Sequence, residues 1–180
     1  MAAGVALLVP GDTYSVERPL LHFAGAIFER HGWAIEQVRW PEKPPPRDGQ
    51  EFAAWFAQLR SFVLTHVPPL PAGKVALVGK SMGAFAAAVA ADRGLPGIWL
   101  TPVLRDSELP DDLRRCSAPF LLVGSAADPS WDSAVAHSFG RPVFEAPDAD
   151  HAMEIPGDPV RSVALLREVT AAIDAFVREL

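Results

Sequence analysis

The chain has 180 residues, 49% of them hydrophobic and 21% charged, which suits one globular domain spanning 1–180 with enough length to bury a real core. Its net charge of −6 speaks against nucleic acid as the main partner. A single cysteine, Cys116, excludes an intrachain disulfide and fits a reducing compartment.

The start, Met1-Ala2-Ala3-Gly4, lacks a basic segment, and the apolar Val5–Val9 that follows is too short for a signal peptide. No run of about 18 apolar residues occurs, so no membrane partner is expected and a cytoplasmic location is. Val5–Val9 reads instead as a buried strand closed by the turn Pro10-Gly11-Asp12. Leu20, Phe23, Ala24, Ile27 and Phe28 follow helical spacing, and His31-Gly32 ends that helix. Ala34–Trp40 is a second strand, and the proline-rich stretch 41–49 a surface loop.

Phe52, Trp55, Phe56, Leu59, Phe62, Val63 and His66 give a broad apolar helix face, stopped by Pro68-Pro69. Val75–Val78 is a third strand, and the Ala-rich run after it a helix ending at Arg93-Gly94. Gly97–Val103, Pro119–Gly124 and Pro142–Ala146 are further strands, with helices over 110–115 and around Trp131–Phe139. A last helix from Pro159 carries Val163, Leu166, Val169, Ile173, Phe176, Val177 and Leu180 on one face. Strands alternating with helices predict an α/β fold: a mostly parallel sheet of about six strands with helices on both faces.

Between the third strand and its helix lies Gly79-Lys80-Ser81-Met82-Gly83. A serine on so tight a turn projects its hydroxyl above the sheet edge, and the flanking glycines let the strand and helix backbones nearly touch. Gly79-Lys80-Ser81 also looks like the end of a phosphate-binding loop, but the glycine such a loop needs five residues earlier is Lys74 here. The residues between are strand formers rather than a backbone cradle, so nucleotide binding is rejected. A merely helix-capping serine would leave both glycines unexplained.

A serine nucleophile needs a general base and an orienting carboxylate. Two later strand ends supply them in order: Gly124-Ser125-Ala126-Ala127-Asp128-Pro129, then Asp148-Ala149-Asp150-His151. Asp128 is the leading acid, with Asp132 as its rival one turn onward; Asp148 and Asp150 are read as solvated or loop-bracing. His151 is the leading base, because His22, His31, His66 and His137 fall on helices or their ends. No two histidines stand at ligand spacing with a carboxylate, so no metal is expected. The oxyanion donors are expected to be the backbone of Met82 and that of Asp12 or Thr13. Lys80 is read as structural or surface.

Gly79-Lys80-Ser81-Met82-Gly83 resembles the nucleophile elbow of the α/β-hydrolase superfamily, Leu121–Pro129 its acid loop and Asp148–His151 its histidine loop. In many members a glycine stands near the place of Asp148, so the histidine loop departs somewhat from that pattern. The resemblance covers essentially the whole chain and is closest to small lidless serine hydrolases. It implies a triad Ser81, Asp128 and His151, favours Asp12 as the second oxyanion donor, and requires no cofactor. With only 104–118 between the fourth and fifth strands there is no room for a lid, so an open, shallow pocket is expected, with Trp131, Tyr14 and Met153 as possible walls and Trp99 in the core. The implied activity is hydrolysis of small acyl esters. A catalytically silent binding or scaffold module, or the same triad on thioesters, amides or peptides, is the alternative.

Overall fold

A computed structural model describes residues 2–180. Its strands are β1 (Val5–Val9), β2 (Ala34–Gln37), β3 (Val75–Lys80), β4 (Gly97–Leu100), β5 (Phe120–Ser125) and β6 (Val143–Ala146). They form one sheet in the order β2-β1-β3-β4-β5-β6, and every neighbouring pair is parallel. Helices α1 (Pro19–Arg30), α2 (Phe52–His66), α3 (Ala87–Arg93), α4 (Leu109–Arg115), α5 (Ser133–Ser138) and α6 (Pro159–Arg178) cross over between them, except that α6 closes the chain.

The near-continuous Val and Leu runs follow from burial on both faces. Alternate residues of one strand serve different cores. Leu7, Val9, Val75, Leu77, Trp99, Phe120 and Leu122 pack under Phe56, Leu59, Phe62 and Val63 of α2, with the elbow helix, α4 and α5. Ala6, Leu8, Ala76, Val78, Ile98, Leu100, Leu121 and Val123 pack under α1 and α6. Two glycines make room for indoles: a Cβ at Gly97 would lie 2.4 Å from the Trp99 ring, and one at Gly124 2.2 Å from that of Trp131.

Several boundaries differ from the sequence expectation. β2 stops at Gln37 because it is a mostly exposed edge strand with little apolar pattern to extend it. β4 stops at Leu100, since Thr101 turns to φ 41°. The helix expected around Trp131 begins only at Ser133, where the Asp132 carboxylate accepts the Val135 N–H at 3.0 Å and caps it. The Ala-rich run opens as a 3₁₀ segment, Ser81–Ala86, before α3 proper. On α6 only Val169, Ile173 and Val177 are buried, and Val163, nearer its start, is 67% exposed.

The chain leaves β1 toward the edge at β2 and then returns to β3 on the other side of β1. Crossovers therefore diverge between β1 and β3, and their loops part to leave a crevice at the carboxyl ends of those strands. The residues between β4 and β5 hold only the short α4, packed against α3, and form no lid.

Candidate active site

The crevice is built around Ser81. Its φ of 54° lies in the left-handed region, which costs a non-glycine residue on the order of 1–3 kcal/mol and persists only where neighbours enforce it. The enforcement is steric. A Cβ on Gly79 would lie 2.4 Å from the Gly83 carbonyl oxygen, and one on Gly83 would lie 2.2 Å from that of Val9. Strand, elbow and β1 are thus in backbone contact, and the Ser81 hydroxyl is pushed up to the crevice.

His151 reaches that hydroxyl from the loop after β6. Its Nε2 lies 2.7 Å from Ser81 Oγ, and its Nδ1 lies 2.6 Å from Asp128 Oδ2. Asp128 itself is almost wholly buried. Its second oxygen, Oδ1, accepts the Ser130 N–H at 2.9 Å, so both carboxylate oxygens are engaged. With Asp128 accepting from Nδ1, the tautomer that leaves Nε2 free to take the serine proton is favoured. Asp132, the rival acid, is committed to capping α5 and lies beside Arg105.

Asp150 braces the histidine loop, its Oδ1 accepting the Ala152 and Glu154 N–H groups at 2.8 and 3.0 Å. Asp148 pairs with Arg161 at 2.6 Å on the surface. Among the other histidines, His31 lies 2.9 Å from Asp174 and His66 lies 2.8 Å from the Phe62 carbonyl oxygen, both far from Ser81 in the fold.

The sequence reading does not single out Ser125. It is fully buried at the end of β5, and its Oγ accepts the N–H of Ala127 at 3.2 Å and that of Ala149 at 3.1 Å. One hydroxyl therefore fastens the acid loop to the histidine loop. A serine closing a strand in which every other residue is apolar was the available signal.

Opposite the histidine, Gly11 comes so close to the elbow that a Cβ there would lie 3.3 Å from the Lys80 carbonyl oxygen and 3.5 Å from Ser81 Cβ. Its own groups are held by Tyr14 and by the Trp40 indole. Asp12 and Met82 both line the crevice beside Ser81, with Met82 opening the 3₁₀ segment.

The crevice has a volume of about 510 Å³. Its far wall is the first half of α2: Phe52, Trp55, Phe56 and Leu59. The expected walls are mostly wrong. Only Tyr14 lines it; Trp99 is in the core as expected, Trp131 is buried with its indole N–H on Glu145, and Met153 lines a neighbouring cavity. Aromatics spaced along one helix read as core, and the first turn of α2 projects past the sheet instead, leaving Phe52 47% exposed.

Lys80 takes the structural of its two expected places. It is 1% exposed, not on the surface, and its ammonium stands 4.8 Å from the centre of the Tyr14 ring. Burial lowers its pKa to about 7, against the weaker opposing pull of Asp128 and Asp150.

No family model and no curated protein matches the sequence. Solved structures do match in shape. A protein of the α/β superfamily from Xanthomonas campestris pv. campestris superposes with a TM-score of 0.67 at 17% identity, over 100% of both chains. A lidless α/β serine hydrolase from Xanthomonas campestris gives 0.63 at 16% identity, over 98% of this chain and 81% of that one. An α/β serine hydrolase homologue from Coxiella burnetii gives 0.62 at 16%, over 96% and 84%. This chain has the α/β-hydrolase fold. Ser81, Asp128 and His151, the three residues singled out in the sequence, are the ones that meet at the rim of the sheet.

Proposed function

We propose that the protein is a serine hydrolase that cleaves small acyl esters through an acyl-enzyme. Ser81 Oγ attacks the ester carbonyl carbon as its proton passes to His151 Nε2. The tetrahedral intermediate collapses when the imidazolium returns that proton to the departing alkoxide and the C–O bond breaks. Water, deprotonated by the same nitrogen, then attacks the acyl group and releases the acid. Asp128 holds the imidazole in register and balances its charge while it is protonated. The backbone N–H groups of Met82 and Asp12 are the donors assigned to the oxyanion. The open, lidless crevice favours short acyl groups over long-chain lipids, and the lone, buried Cys116 accords with a cytoplasmic location.

The observation that carries this reading is the unbroken relay Asp128–His151–Ser81, with contacts of 2.6 and 2.7 Å. Labelling with a fluorophosphonate probe tests it. The wild type should label covalently, and Ser81→Ala and His151→Ala should not. An unlabelled, folded wild type would withdraw the assignment.

A further inference from the structure

Four large apolar side chains stand exposed among the described residues: Phe23, Phe52, Val160 and Val163. Three of them belong to α1 and α6, and only Phe52 lines the crevice that holds Ser81 and His151. Its ring is not alone there. Phe52 and Phe56 stack at 5.7 Å with 26° between their planes, and the Trp55 indole lies 5.2 Å from Phe56 at 31°. Phe56 is buried in the core, while Phe52 stays nearly half exposed and Trp55 partly so. The outer two rings therefore rest on a fixed base and keep surface open to solvent.

The loop before α2 steadies both outer rings. The Trp55 indole N–H donates to the Pro45 carbonyl oxygen at 2.8 Å, and the Arg47 guanidinium stands 4.4 Å from the centre of the Phe52 ring. With the indole N–H already taken, what this wall offers a ligand is π surface. Such surface is buried only when a molecule covers it, and an aromatic ring gains stacked or edge-on contact there beyond the area it buries.

The wall also has a side. Phe56 and Leu59 belong to the core on the α2 face of the sheet, whereas Ala149, Ala152 and Met153, around His151, pack in the core under α1 and α6. Ser81 stands between the two. An ester with its carbonyl at Ser81 turns its leaving oxygen toward the imidazole that protonates it, so the acyl group points the other way, toward α2.

We propose that the preferred substrates are esters of aryl-bearing carboxylic acids, whose ring lies on Phe52 and Trp55 while the ester carbonyl lies at Ser81. This rests on the hydrolase reading of the same site. A flat ring fits a crevice without a lid, because it needs one preformed wall and no enclosure.

Two measurements decide it. The first is the ratio of kcat/KM for methyl 3-phenylpropanoate to that for methyl 3-cyclohexylpropanoate, which share one carbon skeleton and the same surroundings at the carbonyl. The wild type should favour the phenyl ester. Phe52→Leu keeps an apolar side chain but removes the ring, and should lower the ratio about threefold; with Trp55→Leu added, the loss should reach about tenfold. A wild type without the preference, or a ratio unchanged in the double variant, would overturn the proposal. So would a preference seen only between 2-phenylethyl and 2-cyclohexylethyl acetate, where the ring is in the alcohol. The second measurement uses Ser81→Ala, which binds without turnover and leaves α2 intact. Millimolar methyl 3-phenylpropanoate should raise its Tm more than the cyclohexyl ester does, and equal shifts would also overturn the proposal. This arm holds if Trp55→Leu fails to fold. A larger shift with the phenyl ester but no fluorophosphonate labelling of the wild type would sink the hydrolase reading and leave the aryl site standing; labelling with an unmoved ratio would do the reverse.

Discussion

Replacing Gly83 by alanine probes the elbow at its tightest point. The added methyl would sit 2.2 Å from the Val9 carbonyl oxygen and 2.7 Å from that of Pro10, deep inside van der Waals contact. Both obstacles are main chain, and β1 is paired on both sides, with β2 and with β3, so it cannot swing away. Overpacking that side chains can relieve costs about 1–3 kcal/mol. Here β1 and the elbow must separate, and we expect roughly 3–5 kcal/mol, at the upper end for single substitutions. Against a total stability of about 5–15 kcal/mol the variant should still fold in the cold. At roughly 2–4 °C per kcal/mol for a chain of this size, thermal unfolding followed by circular dichroism should show Tm lowered by about 6–20 °C. Gly25→Ala is the control: its Cβ would meet only a side-chain atom, Leu8 Cδ1 at 3.1 Å, in a helix interior where alanine is otherwise favoured. It should move Tm by no more than a few degrees. The same separation displaces Ser81 and the Met82 amide, so fluorophosphonate labelling of Gly83→Ala should slow by about 10²-fold. A Tm within ~2 °C of wild type, with labelling intact, would mean that backbone contact does not hold the nucleophile.

Removing His151 should cost several orders of magnitude in kcat, while Tm changes little because the side chain is 40% exposed; steady-state rates and a melt on one preparation separate the two. Ser125→Ala strips the acceptor from the Ala127 and Ala149 N–H groups, and should lower stability by ~1–3 kcal/mol and slow labelling, since His151 is two residues beyond Ala149. Wild-type values for both would assign Ser125 no part in holding the loops. Lys80 makes stability depend on pH with a definite sign. Its folded pKa of about 7 lies below the ordinary 10.5, so between those values the unfolded chain binds the extra proton and stability rises with pH. Urea unfolding from pH 7 to pH 10 should show this rise in the wild type and a shallower one in Lys80→Met. A parallel pair of curves would mean that the lysine is not penalised by burial.

The parts of the molecule legible in the sequence are those where one local force dominates. β1, β3 and β5 are buried on both faces, so their unbroken apolar runs identify them without help from tertiary contacts. The elbow was legible because Gly79 and Gly83 are imposed by backbone contact, which leaves only one residue type. What stayed hidden depends on which way a side chain faces. Trp131 reads as a pocket wall until Gly124 is seen to open a slot for its ring in the core. Phe52 and Trp55 read as core until α2 is seen to overrun the sheet. Lys80 reads as structural or surface. Strand alternation could have decided between the two. Lys80 follows Ala76 and Val78 at even spacing, and that face of β3 is covered by α1 and α6.

The costly features of the site sit where the sheet gives least. Ser81, at an unfavourable φ, and the buried Lys80 both belong to the end of β3, flanked by β1 and β4, and the buried Asp128 follows β5, flanked by β4 and β6. A ladder on each side of these strands supplies the rigidity that strain and buried charge require. His151 alone follows an edge strand, β6, and in the proposed mechanism it is the member that accepts a proton and gives it back. Its loop is therefore tied down locally instead: by Ser125 from β5, by the amides closed around Asp150, and by Arg161 of α6 on Asp148. The centre of the fold thus fixes Ser81 and Asp128, and a few polar ties fix the edge loop that carries His151.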